Sequence, residues 1–138
     1  MADITVTAAS VAQGAGAIVR QGTAGATVTA GQPVYIDTAD ANQLKPADAD
    51  LSALGSTVAG IALHGASDEQ PLKYIESGGA FVPGATLTQG EVYVLSGTAG
   101  GIAPVADLGT GDYPVILFCA NSTTVATMKI TRGTGARA

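Results

Sequence analysis

The side chains that most often supply a base and a nucleophile near neutral pH occur once each in this sequence, as His64 and Cys119. His64 stands in GIALHGAS, after a predicted strand and directly before Gly65. This position favours a structural role at a strand end or an interface. Cys119 stands in the apolar run VILFCA, which predicts a small, buried and unreactive thiol. The sequence offers no catalytic pair, and we predict that the protein is not an enzyme.

Four carboxylates lie close together in the sequence, as the ligands of a calcium loop or the members of an acid–base pair would. The cluster consists of Asp37, Asp40, Asp48 and Asp50. A calcium loop of the EF-hand type has Asp or Asn at its third position and Gly at its sixth. Counted from Asp37, these positions hold Ala39 and Asn42. Turn formation and helix capping explain the aspartates better, so no metal site is predicted.

Two further segments have features of cofactor sites. The glycines of GTAGG at 97–101 suit a phosphate-binding loop, but no GxxxxGK[ST] pattern is present, so we interpret the segment as a hairpin loop. Lys45 in NQLKPA lies in a turn, as the modified lysine of a lipoyl domain does. However, no acidic residue precedes Lys45, and Pro46 follows it. No cofactor is predicted.

Composition limits the classes of protein that remain. The 138 residues are 46% hydrophobic and 12% charged, which is typical of one folded domain. Six basic residues stand against 11 acidic ones, and the basic residues form no patch, which argues against nucleic acid as a partner. No apolar run approaches the ~18–20 residues of a membrane span. Asp3 stands where a secretory signal carries basic residues, so export through a cleaved signal is not expected.

Short strands dominate the sequence after residue 26. They are predicted at Thr27–Thr29, Pro33–Asp37, Val58–Leu63, Leu72–Glu76, Ala85–Thr88, Val92–Leu95, Val115–Cys119 and Val125–Thr131. Turns rich in Gly and Pro separate them, which is typical of an all-β sandwich or barrel. One short helix is predicted at Ala47–Leu54, with Gly55 ending it. With 4% aromatic residues and 19 glycines, the core is thin, so we expect the chain to self-associate.

Residues 1–26 differ from the β domain predicted for residues 27–138. The segment from Ala12 to Ala26 is so rich in Gly and Ala that we predict an extended N-terminal arm. Such an arm gains little by lying on its own subunit and commonly orders against a partner. Its apolar side chains are our candidates for contacts with a capsid or a neighbouring copy: Ile4, Val6, Val11, Ile18 and Val19.

The β domain contains an internal match that predicts a duplication of residues 27–76 in residues 86–131. TVTAG at 27–31 matches TLTQG at 86–90, and the following VYI at 34–36 matches VYV at 92–94. Further along, LKPA at 44–47 matches IAPV at 102–105. The match continues with IAL at 61–63 against ILF at 116–118, and with LKY at 72–74 against MKI at 128–130. Two similar four-stranded halves would form one small barrel or sandwich.

The order of these motifs resembles the capsid cement or head decoration proteins of tailed bacteriophages. The resemblance runs from AGATVTAGQPVYID through GIALHGA, QPLKYIESGGAFVPGATLTQGEVYVLS and GGIAP to KITRGTG, over about four-fifths of the chain. It implies a small β-barrel or β-tulip-like domain, a homotrimer, and an N-terminal arm that touches the major capsid protein. It further implies a structural protein on the outer surface of the virion, at local three-fold sites, which stabilises the expanded head.

Two other interpretations of the sequence stay open. One is a secreted or surface β-module such as a fibre or adhesin domain, which the acidic N-terminus disfavours. The other is a β-barrel that binds a small ligand.

Overall fold

The computed structural model describes residues 4, 6–14, 16–48, 57–96, 100–105 and 115–132. Within them the regular structure is nearly all β, with one turn of 3-10 helix at Ala8–Ser10. The strands are β1 (Ile18–Thr23), β2 (Pro33–Asp37), β3 (Gln43–Pro46), β4 (Val58–Ala62), β5 (Pro71–Phe81), β6 (Val92–Leu95), β7 (Ile102–Pro104), β8 (Val115–Ala120) and β9 (Ala126–Arg132). The predicted all-β, barrel-like fold is confirmed. Beyond Asp48, the predicted helix Ala47–Leu54 lies outside the described residues.

The strands form one antiparallel sheet in the order β3-β2-β4-β5-β9-β8-β6-β7, and β1 also pairs with β5. At 11 residues, β5 is long enough to pair with three strands, one of them β4 at Tyr74 and Ile75. Its residues 71–77 pair with β1, and its residues 77–81 pair with β9. The sheet therefore consists of two units that meet within β5. We call residues 18–76 the first unit and residues 77–132 the second unit.

The two units share one connectivity. In the first unit β2 pairs with β3 and β4, and β4 pairs with β5; in the second, β6 pairs with β7 and β8, and β8 pairs with β9. Equivalent backbone bonds recur, each at 2.8 Å: Val28 N–H to Ala66 O and Gly31 N–H to Ala62 O, then Leu87 N–H to Thr123 O and Gly90 N–H to Ala120 O. The second part of β5 thus stands in the second unit where β1 stands in the first.

The register of this correspondence differs from the register of the sequence match. The sequence match aligns Tyr93 with Tyr35. In the ladders, Val34 pairs with Gly60 and Tyr93 pairs with Phe118, each directly before a β-bulge. Tyr93 therefore takes the place of Val34, one residue away from the predicted partner. A shift of one residue moves a side chain to the other face of a strand, and a match of residue types does not reveal the bulge that causes it.

The first unit closes into a small ring around its own core. Ala24, just after β1, forms a parallel bridge to Leu44 of β3. This bridge joins β1 to β3 and so closes the ring. The ring encloses the buried residues Ala24, Val28, Val34, Leu44, Ala62, Ala66, Leu72 and Tyr74. Small side chains dominate this list because five short strands leave a narrow interior.

A second and larger core lies inside the second unit. Its aromatic centre is Phe118, which stacks on Tyr93 at a centroid distance of 5.3 Å and meets the edge of Phe81 at 6.1 Å. Around it pack further buried residues of the second unit: Leu87, Leu95, Ile102, Val115, Leu117, Ala120, Ala126 and Met128. The first unit closes the same core from outside, because side chains on the outer face of its ring also pack there.

Candidate assembly surfaces

The second unit is closed differently from the first, and the N-terminal segment makes the difference. In the first unit the Gly25 N–H donates to the Leu44 carbonyl at 2.8 Å. The equivalent positions in the second unit are Gly84 and Ile102. Their carbonyls accept hydrogen bonds from the N-terminal segment: Ile102 O from the Ile4 N–H at 2.8 Å, and Gly84 O from the Thr7 N–H at 2.7 Å. Residues 4–7 therefore fill a seam that the first unit closes directly. We call it the N-terminal seam.

Side-chain volume explains why the second unit leaves room for this segment. In the first unit, Gly22 of β1 lies against Leu44, and a Cβ on Gly22 would come within 2.9 Å of the Leu44 Cδ1. In the second unit the fully buried ring of Phe81 lies three residues before Gly84, as Gly22 lies three residues before Gly25 in the first unit. A phenyl ring between the strands takes the space that direct closure needs.

Glycines on both units seat the N-terminal segment. A Cβ on Gly31, whose φ is 88°, would collide with the side chain of Val6. A Cβ on Gly84 would lie 2.6 Å from the Thr7 carbonyl oxygen and 3.0 Å from Val11 Cγ2. Only glycine allows so close an approach of a neighbouring chain segment, so the two turns fit this segment specifically. A reciprocal pair of bonds at 2.9 Å between Ala12 and Val82 completes the attachment.

The predicted contact residues fall into two groups. Ile4, Val6 and Val11 are half-buried against their own chain, and Ile4 and Val11 pack on the larger core. Ile18 and Val19 lie in β1, where Ile18 is 49% exposed and Val19 is half-buried. The structure therefore does not bring the five side chains together as one surface.

The expectation that residues 1–26 form one extended arm is wrong for Ile18–Thr23, which pair with β5 over six positions. The Gly and Ala content was a poor guide here, because a β-ladder needs backbone groups and not large side chains. The expectation that such a segment gains little on its own subunit is also wrong for residues 4–12. Their bonds at the N-terminal seam and to Val82 are made within one chain.

A third apolar surface is not evident from the sequence, because it lies in a run of residues that the sequence predicts to be buried. Ile116 on β8 is 39% exposed, Cys119 is exposed, and Val105, just after β7, is 44% exposed. The prediction of a buried Cys119 is wrong. A bulge at β8 turns both Leu117 and Phe118 inward, so Ile116 and Cys119 point outward on either side. No sequence signal marks this bulge.

His64 and the aspartates have structural partners. His64 Nε2 accepts the Lys73 N–H at 3.0 Å, so its Nδ1 donates to the Gly65 carbonyl at 2.8 Å. At the tip of the β2–β3 hairpin, Lys45 Nζ lies 2.8 Å from Asp40 and 2.9 Å from Asp37. These contacts raise the pKa of Lys45, and the bond from Lys45 lowers the pKa of Asp37.

In the described part of the chain no group of three or more His, Cys, Asp or Glu side chains is placed to hold a metal ion. Nor does any helix among the described residues have the length and hydropathy to span a membrane. Asp50 and residues 97–99 of the predicted hairpin loop lie outside the described residues.

No protein-family model matches the sequence, and no curated protein matches it significantly.

Proposed function

We propose that this chain is a structural protein of a tailed-phage virion that binds the outer surface of the expanded capsid, as trimers at local three-fold sites, and stabilises it. The order of β motifs that resembles head decoration proteins supports this proposal. So does the geometry of the N-terminal segment, which is the observation that carries it. Ile4, Thr7 and Ala12 attach this segment to the domain by backbone bonds to Ile102, Gly84 and Val82.

Such a segment is suited to exchange between partners. The bonds of Ile4, Thr7 and Ala12 are all to backbone groups, so an edge strand of the major capsid protein can offer the same bonds. Exchange leaves the number of hydrogen bonds unchanged, and the burial of Ile4, Val6 and Val11 then decides the preference. In the proposed mechanism the segment leaves the N-terminal seam and adds to a capsid strand. The domain stays outside as a clamp between capsid subunits.

Repetition turns a weak contact into a strong one. A trimer presents three segments to one three-fold site, so the second and third contacts form at high effective concentration. A completed and expanded lattice is needed to present all three sites together. We therefore expect binding to mature heads and not to isolated capsid subunits.

The alternative of a ligand-binding barrel finds less support. The interior of the first unit is filled by buried side chains of β2, β3, β4 and β5 and of residues next to the strands, Leu44, Leu72 and Tyr74 among them. The interior of the second unit is filled by aromatic rings in mutual contact. A packed interior leaves a surface function as the better explanation.

The proposal is tested by mixing the purified chain with expanded, undecorated heads of the phage that encodes it and measuring co-sedimentation and cryo-EM density. The full chain should add density at three-fold sites. A chain lacking residues 2–12 should lose at least about tenfold in affinity, since several half-buried side chains and backbone bonds go with them. The deletion stops before β1, because Ile18–Thr23 closes the first unit.

Point variants give the matched control. Val6→Asp and Val11→Asp should weaken head binding as the deletion does, whereas Ala9→Asp, at an exposed position of the same segment, should not. Circular dichroism confirms that each variant is folded. Heads that gain no density from the full chain at any concentration would refute the capsid proposal. Equal binding by the full and shortened chains would refute only the role of the segment.

A further inference from the structure

The outer face of the first unit is covered by the second unit. The residues that the first unit contributes to the larger core are Tyr35, Ala47, Val58, Ile61 and Ile75. All of them are at most 8% exposed. Four of them belong to strands whose other face lines the small ring, so β2, β4 and β5 are buried on both sides, and Ala47 directly follows β3. The repeated unit therefore has an outer face that is apolar and needs a cover.

The ladders identify the same face on the second unit. Tyr35 pairs with Val58 after the bulge in β2, and Val94 pairs with Ile116 after the bulge in β6. Likewise Ile61 pairs with Ile75, and Cys119 pairs with Thr127. Ala47 follows Pro46, which pairs with Val34. Val105 likewise follows Pro104, which pairs with Tyr93. The equivalents of the five covered residues are thus Val94, Val105, Ile116, Cys119 and Thr127, which we call the second outer face.

On the second unit this face is largely uncovered. Val105 and Ile116 are 44% and 39% exposed, Cys119 and Thr127 are exposed, and Val94 is buried. Val105 and Ile116 are also two of the three large hydrophobic side chains exposed in the described part of the chain. None of the five residues is charged. Lys129, two residues beyond Thr127 on β9, is exposed and gives the face a charged border.

We propose that a second copy of this chain docks on the second outer face. The occupant is argued from the molecule itself, because the equivalent face of the first unit is already buried by a unit of the same chain. Charge supports the same occupant. Each copy carries a net charge of −5, so two copies repel each other, and an uncharged apolar face is where they approach at the least electrostatic cost. The inference deepens the proposed function, since it assigns a surface to the self-association that the function includes.

Analytical ultracentrifugation over a concentration series tests the proposal with matched variants. The wild-type chain should associate above its mass of 13.5 kDa. Ile116→Asp should raise the dissociation constant at least about 100-fold, because a carboxylate must be buried without a partner. Gln21→Asp is the control, since Gln21 is exposed on β1 and pairs with Lys73 within the first unit. This variant should associate like the wild type.

The single thiol gives a second measurement that does not depend on a variant. In the wild type, Cys119 should react with a maleimide at least about tenfold more slowly at concentrations where the chain is associated, because docking excludes the reagent. In Ile116→Asp, folded by circular dichroism, the rate should stay fast at every concentration. The reaction rate of Cys119, together with circular dichroism, distinguishes a docking defect from a folding defect.

Three results would overturn the proposal: a wild-type chain that stays at 13.5 kDa, an Ile116→Asp variant that associates normally, or a Cys119 rate independent of association. The failure of the capsid proposal is distinguishable from these. If the wild type associates through this face but adds no density to heads, the docking face stands and the virion function fails. If heads bind a monomer whose Cys119 is always reactive, the docking face fails and the virion function stands.

Discussion

The two units of the sheet have the same connectivity, yet one is complete by itself and the other is not. The first unit closes through Gly25 and Leu44 around small side chains. The described part of the second unit holds three buried aromatic rings, and other segments close it at two places: the N-terminal segment fills its seam, and the first unit closes its core. Repeating a topology therefore does not repeat its stability, because closure depends on the volume that each unit encloses.

A single exchange of large and small residues explains much of this difference. In the first unit Tyr74 occupies the space above Gly60, where any Cβ would collide with the Ile75 carbonyl and the Tyr74 ring. In the second unit Phe118 stands at the position of Gly60, and Ala126 stands at the position of Tyr74. The large residue thus moves from β5 to β8. Each unit keeps one large and one small partner, which preserves packing density while changing the shape of the core.

The largest expected effect comes from removing the aromatic centre of the second unit. Phe118→Ala should lower the free energy of unfolding by about 3–5 kcal/mol, since Phe118 is 1% exposed and contacts two rings. Ile116→Ala, two residues away on the exposed face, should cost less than about 1 kcal/mol. Urea denaturation followed by circular dichroism measures both. Equal costs would mean that the larger core does not depend on its aromatic residues.

The equivalent glycines Gly31 and Gly90 test the N-terminal seam. Both have positive φ, 88° and 81°, so alanine at either position should cost about 1–2 kcal/mol through backbone strain. Gly31→Ala should cost more than Gly90→Ala, because its Cβ also displaces Val6, whereas a Cβ on Gly90 meets nothing within 4 Å. In chains lacking residues 2–12 the two costs should become equal. A difference that survives the truncation would show that Val6 is not the cause.

The smallest expected effect is a pH dependence at the hairpin tip of the first unit. Because the bond from Lys45 lowers the pKa of Asp37 in the folded state, this carboxylate stabilises the fold above its unfolded pKa of about 3.9. The contribution is lost as the pH falls through the lower folded pKa. The stability difference between wild type and Asp37→Asn should therefore be larger at pH 6 than at pH 2.

The second unit supplies the control for this pH dependence. Ser96 stands where the first unit has Asp37, and it does not titrate in this range. Ser96→Ala should change the free energy of unfolding by the same amount at both pH values. A pH dependence of equal size for the two variants would place its origin outside the hairpin tip.

Much of the strand content could be read from the sequence. Pro33–Asp37 and Val92–Leu95 were predicted with their observed bounds, and Val58–Leu63 and Val115–Cys119 to within one residue. These strands are rich in β-branched residues and bounded by turns, so local propensity and burial agree. In contrast, Thr27–Thr29 and Ala85–Thr88 were predicted as strands, but they make only isolated backbone contacts such as the bridge at Val28.

The candidate site was harder to predict because it depends on bulges and on long-range pairing. The sequence singles out Ile4, Val6 and Val11 by their apolar type, but the attachment of their segment to Gly31, Gly84 and Ile102 is a contact across most of the chain. The exposure of Ile116 and Cys119 follows from a bulge opposite β9, which no local pattern in VILFCA shows.

The sequence by itself determined the fold class and the presence of two similar β halves, because alternation, β-branched residues and turn glycines act over a few neighbouring positions. Only the tertiary structure decided which residues correspond between the halves, which unit closes itself, and which face stays open. Those outcomes depend on the volumes of side chains that meet from distant strands, such as Gly22 with Leu44 and Phe81 with Phe118. Packing is a property of the folded whole, so these features appear only when the strands are brought together.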